Sequence, residues 1–274
     1  MKFDLDTAWK DTTGLLSRNR SLLAVIAGVF FFLPYAALTI ALPGMGDLEA
    51  AQASGNLDAM MGAINDLYAS YWWVYLILAI VQGTGLLAML ALVRRRANPT
   101  VGEALSTGVK SVPTYIAAQL LQTALFAIVA ALLIGLGAVT GLPALAVLGG
   151  VIAFVLVCYI VTKLSLAAPV IAIEGELNPI KALQRSWALT RGNSIRLFFF
   201  YLLLLAAFVV LSIVISLVLG LAFAIAGDQA ALLGEAVISG LLNAIMIVVI
   251  VCVMAAVHTQ LGRLSDNPDT ATED

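Results

Sequence analysis

The sequence predicts an all-α integral membrane protein: six transmembrane helices in three hairpins, each hairpin preceded by a short amphipathic cytoplasmic helix. Three observations carry this. The 274-residue chain is 62% apolar and only 11% charged, with a mean hydropathy of +1.05. A soluble domain is about 45–50% apolar and about 25% charged. The apolar residues also fall into long charge-free runs, and the basic residues fall on one side of those runs. Fourteen basic and 16 acidic residues are too few to cover a soluble fold of this size. That excludes a disordered chain, a nucleic-acid binder and an ordinary cytosolic enzyme.

The spans follow from the runs 21–46, 67–93, 111–162, 197–227 and 236–262. About 20 apolar residues cross a hydrocarbon core of about 30 Å. The expected spans are 21–42, 71–93, 113–135, 143–163, 195–226 and 234–258. The run 111–162 is too long for one span, and Gly135, Gly137, Gly141 and Pro143 mark a tight turn inside it. Asp228, Gly234 and Glu235 mark the short loop before the sixth span. The runs are continuous rather than alternating, and Leu and Ala dominate, so helices are expected and not a barrel. Pro34 is expected to kink span 1. Residues 1–264 form one membrane domain, and 265–274 form a polar, acidic, disordered tail.

Orientation follows from charge. Lys2, Lys10, Arg18 and Arg20 precede span 1, and Arg94, Arg95, Arg96 and Lys110 lie between spans 2 and 3. Lys163, Lys181, Arg185, Arg191 and Arg196 lie between spans 4 and 5, and Arg263 follows span 6. The opposite loops carry Asp47, Glu49, Asp58, Asp66, Asp228 and Glu235 and no basic residue. The positive-inside rule then places both termini of a multi-pass protein in the cytoplasm. Tyr68, Tyr71, Trp72, Trp73 and Tyr75 mark the outer end of span 2. The 20 residues before span 1, and the length of its apolar stretch, argue against a cleaved signal peptide.

The three cytoplasmic segments share a design of short helix, breaker and hairpin. Leu5, Ala8, Trp9, Leu15 and Leu16 form an apolar stripe in the first. Thr100 and Glu103 form a capping box in the second, with Val101, Leu105 and Val112 before Pro113 starts span 3. In the third, Asn178 caps and Pro179 takes the first helical position. Ile180, Leu183 and Trp187 then recur at helical spacing, and Gly192 ends the helix. Such helices offer an apolar face to acyl chains and a basic face to phosphate headgroups.

The string Ala168-Pro169-Val170-Ile171-Ala172-Ile173-Glu174-Gly175 leads into Asn178-Pro179-Ile180-Lys181-Ala182-Leu183-Gln184-Arg185-Ser186-Trp187-Ala188-Leu189-Thr190-Arg191-Gly192. It resembles the signature of the membrane domain associated with glycerophosphoryl diester phosphodiesterases, and of related bacterial six-helix membrane proteins. That signature is an apolar-Pro-apolar-Glu stretch followed by Ala-Leu, Arg-Ser-Trp and Leu-Thr-Arg-Gly. The resemblance implies a six-helix membrane fold. In the family this domain is sometimes fused to a catalytic barrel with metal-binding His and Glu. A barrel takes roughly 250 residues of its own. This sequence has one histidine, so no enzymatic activity is expected from the resemblance.

Two sets of residues are candidates for function. Lys181, Arg185, Trp187, Arg191 and Arg196 suit an anionic lipid phosphate or a partner protein, with Trp187 anchored at the interface. The competing reading makes this segment a topology signal and structural elbow, with Glu174 and Glu176 pairing its cations. Gln82, Gln119, Gln122 and Asn243 lie within spans and either hold helices together or line a substrate path. No charged side chain lies near a midplane, which disfavours an ion-coupled transporter. Gly83-Thr84-Gly85 reads as a close-packing site, Lys163 as a snorkelling residue and His258 as a plain interfacial one. Cys158 and Cys252 sit in apolar runs, and no metal, cofactor or catalytic motif is present. The expected function is a non-catalytic membrane module that engages membrane lipids, or a partner membrane or peripheral protein, in envelope maintenance. The alternative is a carrier or channel for a small neutral or zwitterionic solute.

Overall fold

The computed structural model describes residues 2–41, 45–94, 100–139 and 142–266. Among them the chain is helical throughout, and six helices are long and apolar enough to cross a membrane. Arg95, Arg96, the 140–141 part of the turn expected in the third run, and tail residues 267–274 lie outside the described residues.

Asp4 caps α1 (Leu5–Ala27) by accepting from the Thr7 N–H at 3.0 Å. A wide π-type turn over Gly28–Phe32 leads into α2 (Leu33–Ala41). This is where span 1 was expected to kink. Pro34 has no N–H for the Phe30 carbonyl, so the regular ladder is interrupted just before it. The connection between α2 and the next long helix holds a helix that the charge pattern did not reveal, α3 (Met45–Ala53). Then α4 (Leu57–Leu92) starts on an Asn56 cap and bends at Tyr71, where span 2 was expected to begin.

The Thr100–Glu103 capping box forms: Glu103 accepts from the Thr100 N–H at 2.8 Å, and Thr100 accepts from the Glu103 N–H at 3.3 Å. The helix that follows, α5 (Val101–Val139), runs straight through Pro113. The sequence separates a short helix from span 3 at this proline, but the structure keeps one helix. The flanking Val112 and Thr114 are buried, and the Thr114 hydroxyl donates to the Leu177 carbonyl at 2.9 Å, so packing holds the helix across the missing N–H. The first segment is likewise continuous with its span.

Next come α6 (Pro143–Leu164), the short α7 (Ala167–Pro169) and a second π-type turn over Val170–Glu174. Gly175, at φ +80°, reverses the chain into α8 (Pro179–Leu189), which does stand apart from the next helix, α9 (Ser194–Ile225). The loop before the last helix is shorter than expected. Gly227 turns at φ +104° and α10 (Asp228–Asp266) starts at once, so Gly234 and Glu235 are helical. Gly234 is needed there because a Cβ would strike the Phe223 ring across the turn. The helix also absorbs Ser265 and Asp266, which were assigned to the tail.

Helix α4 packs along α5, α5 along α6, α1 along α10, and α10 also against α9. Gly83, Thr84 and Gly85 are buried, as a close-packing site requires: a Cβ on Gly85 would lie 2.5 Å from Phe30 Cβ. The tightest core gathers at one end. Leu87, Met89 and Leu90 of α4, Val251 and Cys252 of α10, and Val170 and Ile171 are fully buried there. Among the described residues, the buried ones of α9 are Leu197 and Phe200, both near its start. The helices are thus pinned at the basic end and present mostly apolar surface elsewhere.

Candidate functional site

The candidate site is built where α6 ends. A helix leaves its last carbonyls without intrahelical partners. Here α8 supplies them. Ser186, fully buried, donates to the Lys163 carbonyl at 2.9 Å and accepts from the Leu166 N–H at 3.1 Å. The buried Thr190 hydroxyl lies 3.3 Å from the same Lys163 carbonyl and 3.0 Å from that of Ser186. Asn178 caps α8 by accepting from the Ile180 and Lys181 N–H groups at 3.0 and 3.1 Å, with Pro179 in the first turn. Gly192, at φ +80°, turns the chain after it. The Ser and Thr of the Arg-Ser-Trp and Leu-Thr-Arg-Gly strings therefore splice α8 onto α6. Ser186→Ala is expected to strand the buried Leu166 N–H at a cost of about 1–3 kcal/mol. A lowered melting midpoint in detergent checks this, and an unchanged midpoint would refute it.

A second cluster ties α8 to α10. Glu174 accepts from Arg185 Nε at 3.2 Å and pairs with His258 Nε2 at 2.8 Å. Among the described residues Glu176 pairs no cation; it accepts from the Asn178 N–H at 2.9 Å. His258 is buried at 7% exposure and is a structural contact rather than a plain interfacial residue. A third cluster holds the N-terminus. Phe3 donates its N–H to Asn193 Oδ1 at 2.8 Å, and its carbonyl accepts from Arg196 Nη1 at 3.1 Å.

The five cations and aromatics predicted as a set are thus divided. Arg185 is engaged by Glu174, and Arg196 by the Phe3 carbonyl. Lys181 and Arg191 remain exposed, with no side-chain partner among the described residues. Trp187 is 40% exposed and roofs a cation that the set omitted: Lys163 Nζ lies 5.3 Å from its ring and 5.7 Å from that of Tyr159. Lys163 is only 3% exposed, so it does not snorkel; α8 folds Trp187 over it. The Glu174–His258 pair, 84 residues apart in the chain, left no local signal, and neither did the roof over Lys163.

The amides fall elsewhere. Gln119 Nε2 donates to the Tyr115 hydroxyl at 3.3 Å, and Gln122 Nε2 donates to Gln119 Oε1 at 2.9 Å, forming a chain along α5. Gln82 and Asn243 are half-buried in α4 and α10. None of the four lines the following three cavities among the described residues. One of about 420 Å³ lies between α2 and α4, beside Pro34, Tyr71 and Trp73. One of about 300 Å³ lies between α6 and α9, and one of about 360 Å³ lies among α6, α9 and α10.

No curated protein and no solved structure matches the chain. Residues 140–263, a little under half of its length, match the family described as the membrane domain of glycerophosphoryl diester phosphodiesterase. The matched stretch contains α6, α8, α9 and all but the last three residues of α10, and the 168–192 string that carries the resemblance lies inside it. With six membrane-length helices and this match to a membrane domain over residues 140–263, the chain is a multi-pass membrane protein.

Proposed function

We propose that this is a non-catalytic membrane protein of a bacterial inner membrane, with both termini cytoplasmic, whose basic end engages anionic lipid. The observation that supports this best is the orientation of α8. Its bundle-facing stripe is Ala182, Ser186 and Leu189, all buried. The apolar residues Ile180 and Trp187 are instead 56% and 40% exposed, next to the exposed Lys181 and Arg191. A helix that uses small residues to pack, and turns its large apolar and basic residues outward, suits the plane between acyl chains and phosphates. The same surface suits a peripheral partner with an acidic face. The second reading, a carrier or channel for a small neutral or zwitterionic solute, would use the amides Gln82, Gln119, Gln122 and Asn243.

The test is lipid retention. In native mass spectrometry after exchange into mixed lipid and detergent, the full chain is expected to keep phosphatidylglycerol over phosphatidylcholine of the same chains. Lys181→Gln with Arg191→Gln is expected to weaken that preference by more than tenfold, at about fivefold per interfacial cation. Equal retention of the two lipids by the unaltered protein would refute the reading. Orientation has its own test: a reporter fused at Gly55 should read outside and one fused after Ser265 inside, and the reverse result would invert the topology.

A further inference from the structure

Lys163 is the one feature at the basic end that the lipid reading of α8 does not use. It is 97% buried by exposure, yet it makes no ion pair among the described residues. Glu174 is taken by Arg185 and His258. The Lys163 ammonium lies over the faces of Tyr159 and Trp187, which are perpendicular to each other at 5.9 Å. Arg191 adds a second positive charge to the surroundings of Lys163, and it too has no acid partner among the described residues. Two cations held close together without an anion raise a local positive potential.

This potential lies at the mouth of an apolar groove. The groove of about 300 Å³ between α6 and α9 is lined by Phe154, Cys158, Tyr159, Thr162, Ser194 and Phe198, among others. Tyr159 is shared: one ring belongs both to the groove wall and to the Lys163 cage. The groove's hydroxyls are turned inward. Thr162 donates to the Cys158 carbonyl at 2.9 Å and Ser194 to the Thr190 carbonyl at 2.9 Å, so its walls offer hydrocarbon contact. Arg191 stands three residues before Ser194 at the same end. An apolar slot that opens to the bilayer under an uncompensated positive charge matches a molecule with an anionic head and a hydrocarbon chain.

We infer that the α6–α9 groove is a binding site for one anionic phospholipid, its phosphate at Arg191 beside the Lys163–Trp187 cage and an acyl chain along the groove. This rests on the lipid reading above and narrows it to a site. Lys163 supplies field from beneath the Tyr159 and Trp187 rings, and Arg191 supplies the guanidinium donors that fit a phosphate.

The experiment uses the full chain in detergent with equal phosphatidylglycerol and phosphatidylcholine, read by native mass spectrometry. Lys163→Gln is expected to reduce the anionic preference about fivefold, and Lys163→Arg to keep it. Cys158→Phe fills the groove from its lipid-facing side without touching a charge, and is expected to release the retained lipid. Inorganic phosphate alone is expected not to displace it. If the unaltered protein prefers phosphatidylglycerol but Lys163→Gln and Cys158→Phe both keep that preference in full, this site is overturned while the broader lipid reading stands. If the unaltered protein shows no preference, both fall. Displacement by inorganic phosphate would overturn the part played by the groove.

Discussion

Gly108→Leu is expected to part α5 from α4 and to destabilise the protein by about 3 kcal/mol. A Cβ at Gly108 would lie 2.6 Å from the Thr84 carbonyl oxygen and 3.1 Å from the Ala88 N. Both are backbone atoms of a long helix, so they move only if the helices separate. Overpacking of this kind costs about 1–3 kcal/mol and occasionally more. Leucine, with three further carbons, belongs at the upper end. Gly108→Ala should act in the same direction and less strongly. Gly102 in the same helix is the control: nothing lies within 4 Å of its Cβ position. Gly102→Ala should leave the melting midpoint unchanged or raise it, because alanine is the better helix former by about 1 kcal/mol. Equal behaviour of Gly108→Leu and Gly102→Ala would refute the assignment of a tight α4–α5 contact.

Phe3→Ala is expected to cost about 3–5 kcal/mol at the site, the usual range for deleting a buried aromatic ring. Phe3 is fully buried and its ring meets Phe200 edge-on at 5.7 Å. It lies at the basic end, just before the Asp4 cap of α1. There the released ring would meet water, so the hydrophobic term applies in full, unlike at mid-bilayer positions. Losing the ring removes the anchor for the two backbone bonds to Asn193 and Arg196. The measurement is limited proteolysis of the first residues together with a melting curve. Faster cleavage near Lys2 and Lys10 is expected, along with a freed Arg196. Cleavage at the rate of the unaltered protein would show that Phe3 does not pin the terminus.

Asn178, Pro179, Gly192 and the Thr100–Glu103 box were legible because caps act through residues one to four apart. Pro113 was misjudged for the opposite reason. Its local effect is to break a helix, but Val112 and Thr114 are buried against distant residues, and the bond from Thr114 to Leu177 spans 63 positions. The face of α8 that packs on the bundle was not legible, although the stripe turned toward acyl chains was. Ile180, Leu183 and Trp187 have helical spacing, yet the bundle accepts Ala182, Ser186 and Leu189, because in lipid a close contact favours small side chains over large apolar ones.

The six spans and the one-sided placement of charge follow from short-range properties: run length against bilayer thickness, and the cost of moving a cation into hydrocarbon. Those need no knowledge of which helix touches which. The division of labour among the cations does need it. Arg185, Arg196 and Lys163 look alike along the chain, but Glu174, the Phe3 carbonyl and the Trp187 ring reach them from other elements, one across most of the sequence. A charge is engaged or free according to what folds against it, and for each of these three cations another element supplies a partner.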